Sequence, residues 1–248
     1  MTDGFAYRLA GPIGSKATLG LVVLQVDETI ERDFRLLCRD PGIALHVTRI
    51  PSGADLTPGT IATMEHALPA AAGLLPQATA FDCVGYGCTS ATAQIGQDRV
   101  ANLVSGAVNT AAVTDPLTAT LAACSALGVR RIGIVSPYTA DVGAPITQAM
   151  TAAGLDVART LSFGEKQEAR VARIDPASIL QAVETVGADT ALDAVFVSCT
   201  NLRAYEVVDQ AEDRIGRPVL TSNLALGWHM FRQTGAAPAN APGQLFRL

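Results

Sequence analysis

The sequence predicts an α/β fold of two lobes, each a parallel sheet covered by helices. Three observations carry this reading. Short apolar runs alternate with helical segments at the spacing of βαβ units. The runs are apolar at consecutive positions, as in strands buried on both faces. The order of elements in the first half of the chain recurs in the second. The lobes divide as residues 1–115 with 218–248, and residues 116–217.

Residues 1–18 are punctuated by Gly and Pro and read as a tail or an arm across the surface. A buried strand over 19–26 ends at Asp27, at the sheet edge where open α/β folds bind ligands. The plainer role for Asp27 is the N-cap of a helix over 30–38. A strand over 43–50, a turn-rich loop over 51–59 and a helix over 60–75 lead to a third strand, 81–86. The helix after Cys88 continues through 94–102, and a short strand at 111–113 precedes a helix over 116–127 closed by Gly128. The second lobe runs strand 131–136, helix 142–153, strand 155–161, loop 162–170, helix 176–186, strand 194–198 and helix 201–215. Residues 218–221 and a helix over 223–233 close back onto the first lobe, and the tail from Thr234 is loosely held.

The chemistry is concentrated where two strands end alike. Gly87-Cys88-Thr89-Ser90 follows the third strand, and Ser198-Cys199-Thr200-Asn201 follows a strand of the second lobe. A thiol at a strand's carboxyl end and in the first turn of a helix meets unpaired N–H groups and the positive end of the helix dipole, which favour a thiolate or a substrate carboxylate. One such cysteine is ordinarily core packing; two presented alike suggest one site built from two halves. Cys88 and Cys199 are the candidate catalytic pair, an acid/base or nucleophilic couple acting on a small anionic molecule without an organic cofactor. Thr89, Ser90, Thr200 and Asn201 add polar donors, and Tyr138, after Ser136-Pro137, either donates to a carboxylate or enolate oxygen or packs as an ordinary aromatic. Cys38, Cys83 and Cys124 read as core, and Trp228 and His229 as packing between lobes.

Composition bounds the rest. At 248 residues, 49% hydrophobic and 17% charged, the chain buries a large core. A net charge of −5 argues against nucleic-acid or anionic-membrane partners. No stretch is long enough to span a membrane, and Met1-Thr2-Asp3-Gly4 does not open a secretion signal, so a cytoplasmic location is expected. The five cysteines form no CxxC, and His46, His66 and His229 are scattered, so no metal site is expected. There is no GxGxxG after a strand and no Walker motif.

The motifs resemble the Asp/Glu racemase superfamily, in its branch of maleate cis-trans isomerases and arylmalonate decarboxylases. The likeness rests on Gly-Cys-Thr-Ser at 87–90, Ser-Pro-Tyr at 136–138, Ser-Cys-Thr-Asn at 198–201 and Pro-Val-x-Thr-Ser-Asn at 218–223, and covers 19–233. It implies two flavodoxin-like lobes related by pseudo-twofold symmetry, an active site in the cleft between them, and a homodimer or homotetramer. It implies Cys88 as the nucleophile that forms a thioether with maleate, Cys199 as acid/base partner, carboxylate binding by Thr89, Ser90, Thr200 and Asn201, and assistance from Tyr138. The decarboxylases keep only the second cysteine, so both thiols together point to isomerisation or racemisation of a small carboxylic acid or amino-acid derivative. Maleate isomerisation, an arylmalonate-type decarboxylation and ligand binding without turnover are the alternatives.

The sequence departs from the isomerases after the first strand. Where they read Pro-Ser-Ser-Asn-Thr-x-x-Glu, this chain has Leu24-Gln25-Val26-Asp27-Glu28-Thr29-Ile30-Glu31, with Asp27 at the place of the asparagine. An ionised Asp27 cannot donate a hydrogen bond and repels a dianion, and it suits a substrate with an ammonium, amidinium or hydroxyl group. This wording, Thr-Arg-Ile-Pro at 48–51 and Thr-Ser-Asn-x-Ala-Leu-x-Trp-His at 221–229 are similar to racemase-like proteins associated with ectoine utilisation. Residues 164–170 diverge from the family and carry no transferable ligand.

Overall fold

A computed structural model describes residues 4–55, 57–238 and 240–248. The first half runs β1 (Ala17–Leu24), α1 (Ile30–Leu37), β2 (Ile43–Ile50), α2 (Pro58–Ala72), β3 (Cys83–Gly87), α3 (Thr89–Ile95), α4 (Gln97–Ser105), β4 (Val113–Thr114) and α5 (Pro116–Leu127). The second runs β5 (Arg131–Ser136), α6 (Ala140–Ala152), β6 (Asp156–Ser162), α7 (Glu168–Val171), α8 (Pro176–Gly187), β7 (Ala194–Val197), α9 (Val208–Ile215), β8 (Val219–Thr221) and α10 (Ser222–Arg232).

The strands form two four-stranded parallel sheets of identical order, β2-β1-β3-β4 and β6-β5-β7-β8. Every residue of β1 is buried, which is why it reads as one continuous apolar run. In each sheet the chain first winds to one side of the opening strand and then to the other. The reversal leaves a crevice at the carboxyl ends of β1 and β3, and of β5 and β7. Asp27 follows β1, Cys88 follows β3, Tyr138 follows β5 and Cys199 follows β7, so the four candidates stand at equivalent edges of two equivalent sheets.

Several expectations are corrected. A lobe boundary at residue 218 separates β8 from the sheet it completes, because β8 pairs with β7. Only the helix that follows, α10, crosses back, packing on α5, α1 and β3. Gly227 permits that approach: a Cβ there would lie 2.4 Å from Leu37 Cδ1 of α1. The helix after Cys88 is broken at Gly96, whose φ of 96° suits glycine, and α4 starts anew. No helix starts at residue 201; a 3-10 turn over Tyr205–Val207 precedes α9. The segment expected as a loop over 162–170 contains the first turn of α7. The amino-terminal arm does not lie down on the surface, for Phe5 is 94% exposed, with Tyr7, Leu9 and Ile13 nearly as open. The carboxyl-terminal tail is fastened: Leu245 is buried, and the N–H of Gln244 donates to the buried Glu212 carboxylate at 2.8 Å.

Candidate active site

The first half of the site is the turn after β3. Cys88 is extended (φ −151°, ψ 112°) and caps α3, its Sγ accepting the Ala91 N–H at 3.4 Å with the Ser90 hydroxyl 3.7 Å away. The Thr92 hydroxyl donates to the Cys88 carbonyl at 2.7 Å and holds the turn closed. Tyr86, fully buried on β3, lies beside the Cys88 thiol and escaped the sequence reading, because it sits within an apolar strand and looks like core.

The second half is the turn after β7. Cys199 has a φ of 155°, a value that residues with a side chain rarely adopt. Its N–H donates to the Ser222 hydroxyl at 3.0 Å, and Ser222 Oγ is 2.8 Å from Thr89 Oγ1. The Thr200 hydroxyl donates to the Gly87 carbonyl at 3.3 Å. The two cysteine turns are therefore bonded to each other. Both thiols are buried, with residue exposures of 3% for Cys88 and 5% for Cys199.

Asn201 is engaged within the protein. Its Nδ2 donates to the Glu168 carbonyl at 3.1 Å and to Glu168 Oε2 at 2.9 Å, while its Oδ1 accepts the Glu28 N–H at 2.9 Å. It links the lobes and holds Glu168. That glutamate, 5% exposed at the start of α7, is a site residue that the sequence did not single out. Its segment, Gly164-Glu165-Lys166-Gln167-Glu168, looks like solvated surface; it is drawn inward by Asn201, by the bridge pairing Asp55 with Gln167, and by the Glu168 N–H donated to the Ala54 carbonyl.

Asp27 does two things. Its Oδ1 accepts the N–H groups of Thr29 and Ile30, both at 2.8 Å, and so braces the start of α1, although the N-cap position itself is Thr29 and not Asp27 as expected. Its Oδ2 is buried with no hydrogen-bond partner. Tyr138 is buried, with its hydroxyl near enough to the Cys199 thiol to hold the thiol's pKa down.

These groups share one electrostatic environment. Glu168 acts on Cys88, Cys199 and Tyr138, and Asp27 acts on Cys88, Cys199 and Glu168. The thiols do not have the depressed pKa values that the sequence pattern suggested. Burial pushes Cys88 up to about 12 and outweighs the Ala91 N–H, which pulls it down. Cys199 is also raised well above its ordinary value, by burial and then by Glu168, against the Tyr138 hydroxyl and the Asn201 N–H, which pull it down. Burial also raises Asp27, Glu168 and Tyr138.

A cavity of about 370 Å³ reaches this cluster at Tyr138 and Glu168, with Asp55, Asp141, Glu165 and Lys166 around it. A second, of about 510 Å³, lies on the other side of Tyr138, against Ser136, Ser162 and Ser198. Cys83 and Cys124 are buried away from both cavities, and His229 Nδ1 is 2.7 Å from the Thr114 hydroxyl. Among the described residues, no group of three or more His, Cys, Asp and Glu is placed to hold a metal ion, and no helix is long and apolar enough to cross a membrane.

Residues 109–246 match the family model described as arylmalonate decarboxylase. The chain is 29% identical over 127 residues to the arylmalonate decarboxylase of Bordetella bronchiseptica, covering 51% of this chain and 53% of that one. It is 23% identical over 148 residues to the maleate isomerase of Geobacillus stearothermophilus, covering 57% and 59%. The chain thus spans little more than half the length of these relatives. Among solved structures, the maleate cis-trans isomerase of Nocardia farcinica with a covalently bound succinylcysteine intermediate superposes with a TM-score of 0.79. The match covers 93% of this chain and 98% of that one at 22% identity, a likeness of fold.

Proposed function

The chain belongs to the arylmalonate decarboxylase family, in the Asp/Glu racemase-like branch that also holds maleate isomerases, and from this we propose that it is a cofactor-independent two-thiol isomerase or racemase of a small carboxylic acid or amino-acid derivative. The observation that supports this most is the pairing of Cys88 and Cys199 on equivalent turns of the two lobes, bonded through Thr89 and Ser222 and exposed to the same two carboxylates.

In this reading the substrate lies between the thiols. One sulfur, as thiolate, takes the proton of the carbon next to the carboxylate: the C–H bond breaks, an S–H bond forms, and the electron pair moves onto the carboxylate as an enolate. The other thiol gives its proton to the opposite face of that carbon. The Thr89 and Thr200 hydroxyls already bond to Ser222 and Gly87, and the Cys199 and Ala91 N–H groups to Ser222 and Cys88, so the donors offered to the substrate are the other N–H groups of these turns and the Ser90 hydroxyl. Tyr138 orients Cys199.

Maleate isomerisation through a Cys88 thioether is the second reading. It is favoured by the family and by the solved isomerase with a succinylcysteine intermediate, and opposed by Asp27 and Glu168, which meet a dianion with like charge. Proton NMR in deuterated water, with maleate and a panel of amino-acid derivatives, separates the readings. Loss of an α-proton signal supports the first, fumarate supports the second, and neither product moves the protein to ligand binding without turnover.

A further inference from the structure

Among the described residues, no cation forms a salt bridge with the Asp27 or Glu168 carboxylate, although the Arg49 guanidinium is near enough to hold the Asp27 pKa down. Asp27 is 3% exposed and its Oδ2 is buried without a hydrogen bond; Asn201, which accepts from Glu28 and Thr29 next to Asp27 and donates to Glu168, brings the two acidic segments together, and the Asp27 charge raises the pKa of Cys88, Cys199 and Glu168. Glu168 is close enough to Asp27 for each additional charge to be felt, and its one side-chain donor is the neutral amide of Asn201. The nearby cations are engaged elsewhere. Arg49 donates to the carbonyl oxygens of Leu24, Gln25 and Asp27 and pairs with Glu31; Arg173 pairs with Glu28, and Arg170 with Glu165. A buried carboxylate oxygen without a partner, with a second carboxylate near enough to add to its charge, is an expensive arrangement unless something of opposite charge joins it.

The approach has the same sign. The cavity leading to Tyr138 and Glu168 is lined by Asp55, Asp141, Glu165 and Glu168 against the single cation of Lys166. Such a mouth concentrates cations and repels anions.

We propose that the ligand of this site is a zwitterion, a small carboxylic acid that also carries an ammonium or amidinium group, with that cation held between the carboxylates of Asp27 and Glu168. The inference rests on the reading of the Cys88–Cys199 pair as the substrate site and names the substrate class. It also bears on the thiols. Burial is the main cause that keeps both thiols protonated, and Glu168 and Asp27 add to it; a cation between the carboxylates removes their share of the shift. A dicarboxylate would deepen the field instead.

Three isosteric probes test this by binding alone: 3-amidinopropionate, succinamate and succinate, which differ only in bearing a cationic, a neutral or an anionic group opposite the carboxylate. Affinities are measured calorimetrically on Cys88→Ala, so that no turnover enters, and on the same chain carrying Asp27→Asn, Glu168→Gln or both. Asp27→Asn keeps the oxygen that braces α1 and Glu168→Gln keeps an acceptor for the Asn201 amide, and circular dichroism checks that each variant is folded. The expected order is amidine, then amide, then dicarboxylate, with at least about a tenfold gap from first to last, and the double variant loses or inverts it. Succinate binding as tightly as the amidine, an unchanged order in the double variant, or binding of none of the three overturns the proposal. Failure of catalysis would show as the absence of deuterium exchange and would leave this binding order intact.

Discussion

The hydroxyls of Thr89 and Ser222 lie 2.8 Å apart, and the second of them also receives the Cys199 N–H at 3.0 Å. One serine at the start of α10 therefore joins the turn that carries Cys88 to the turn that carries Cys199. Ser222→Ala removes both bonds and leaves the Cys199 N–H buried without an acceptor. It is expected to lower stability by about 1–3 kcal/mol and to reduce kcat more than KM, because the thiols lose their mutual position rather than their contact with substrate. Urea unfolding and steady-state kinetics check the two effects.

Asn201 is the other tie, holding the Glu168 carboxylate on one side and the Glu28 N–H on the other. Asn201→Ala leaves a buried carboxylate without its donor and is expected to destabilise by about 2–3 kcal/mol. Asn201→Asp, which adds a negative charge beside Glu168, is expected to be worse than alanine. Paired unfolding curves at neutral pH decide the order.

Asp33 predicts a pH dependence. Burial raises its pKa to about 7, although the Asn223 amide donates to its Oδ2 at 2.8 Å. A carboxyl raised in the folded state from its ordinary 3.8 holds a proton that the unfolded chain gives up. Its contribution to stability is complete below pH 3.8 and is lost as pH rises through 7. Asp33→Asn is expected to raise Tm at pH 8 and to change it little at pH 4, a difference read from melting curves at the two values.

The thiols extend this at alkaline pH. Cys38, Cys83, Cys88 and Cys124 are each raised from 9.0 to about 12 by burial. Their unfolded forms ionise first, so the urea midpoint is expected to fall as pH rises from 9 toward 12. Alkylation by iodoacetamide at pH 8 is expected to be slow in the native protein for all five cysteines and fast once it is unfolded.

Gly227 predicts a packing effect. A methyl group there meets Leu37 at 2.4 Å, and Gly227→Ala is expected to destabilise by about 1–3 kcal/mol by lifting α10 from α1.

The fold class was legible because β1, β3, β5 and β7 are apolar at consecutive positions and because helices such as α5 carry their own boundaries. Asp115 accepts from Leu117 and Thr118 at one end, and Gly128 turns left-handed at the other. The cysteine turns were legible as a repeat. Glu168 was hidden, since its burial comes from Ala54, Gln167 and Asn201, contacts that a local pattern of charged residues does not reveal. The thiol electrostatics were misjudged for a related reason: strand-end position is local, whereas burial and the field of two carboxylates are tertiary. The path of α10 from the second sheet to the first depends on a glycine whose neighbour, Leu37, is far away in sequence.

The central claim, that two thiols act together on one substrate carbon, is tested most directly by α-deuterium incorporation from deuterated water into a turned-over substrate, followed by proton NMR for the wild type, Cys88→Ala and Cys199→Ala. The account predicts deuterium at the α-carbon of both stereoisomers with the wild type, and loss of interconversion by at least about a thousandfold in each variant. Interconversion that persists in either variant would contradict it.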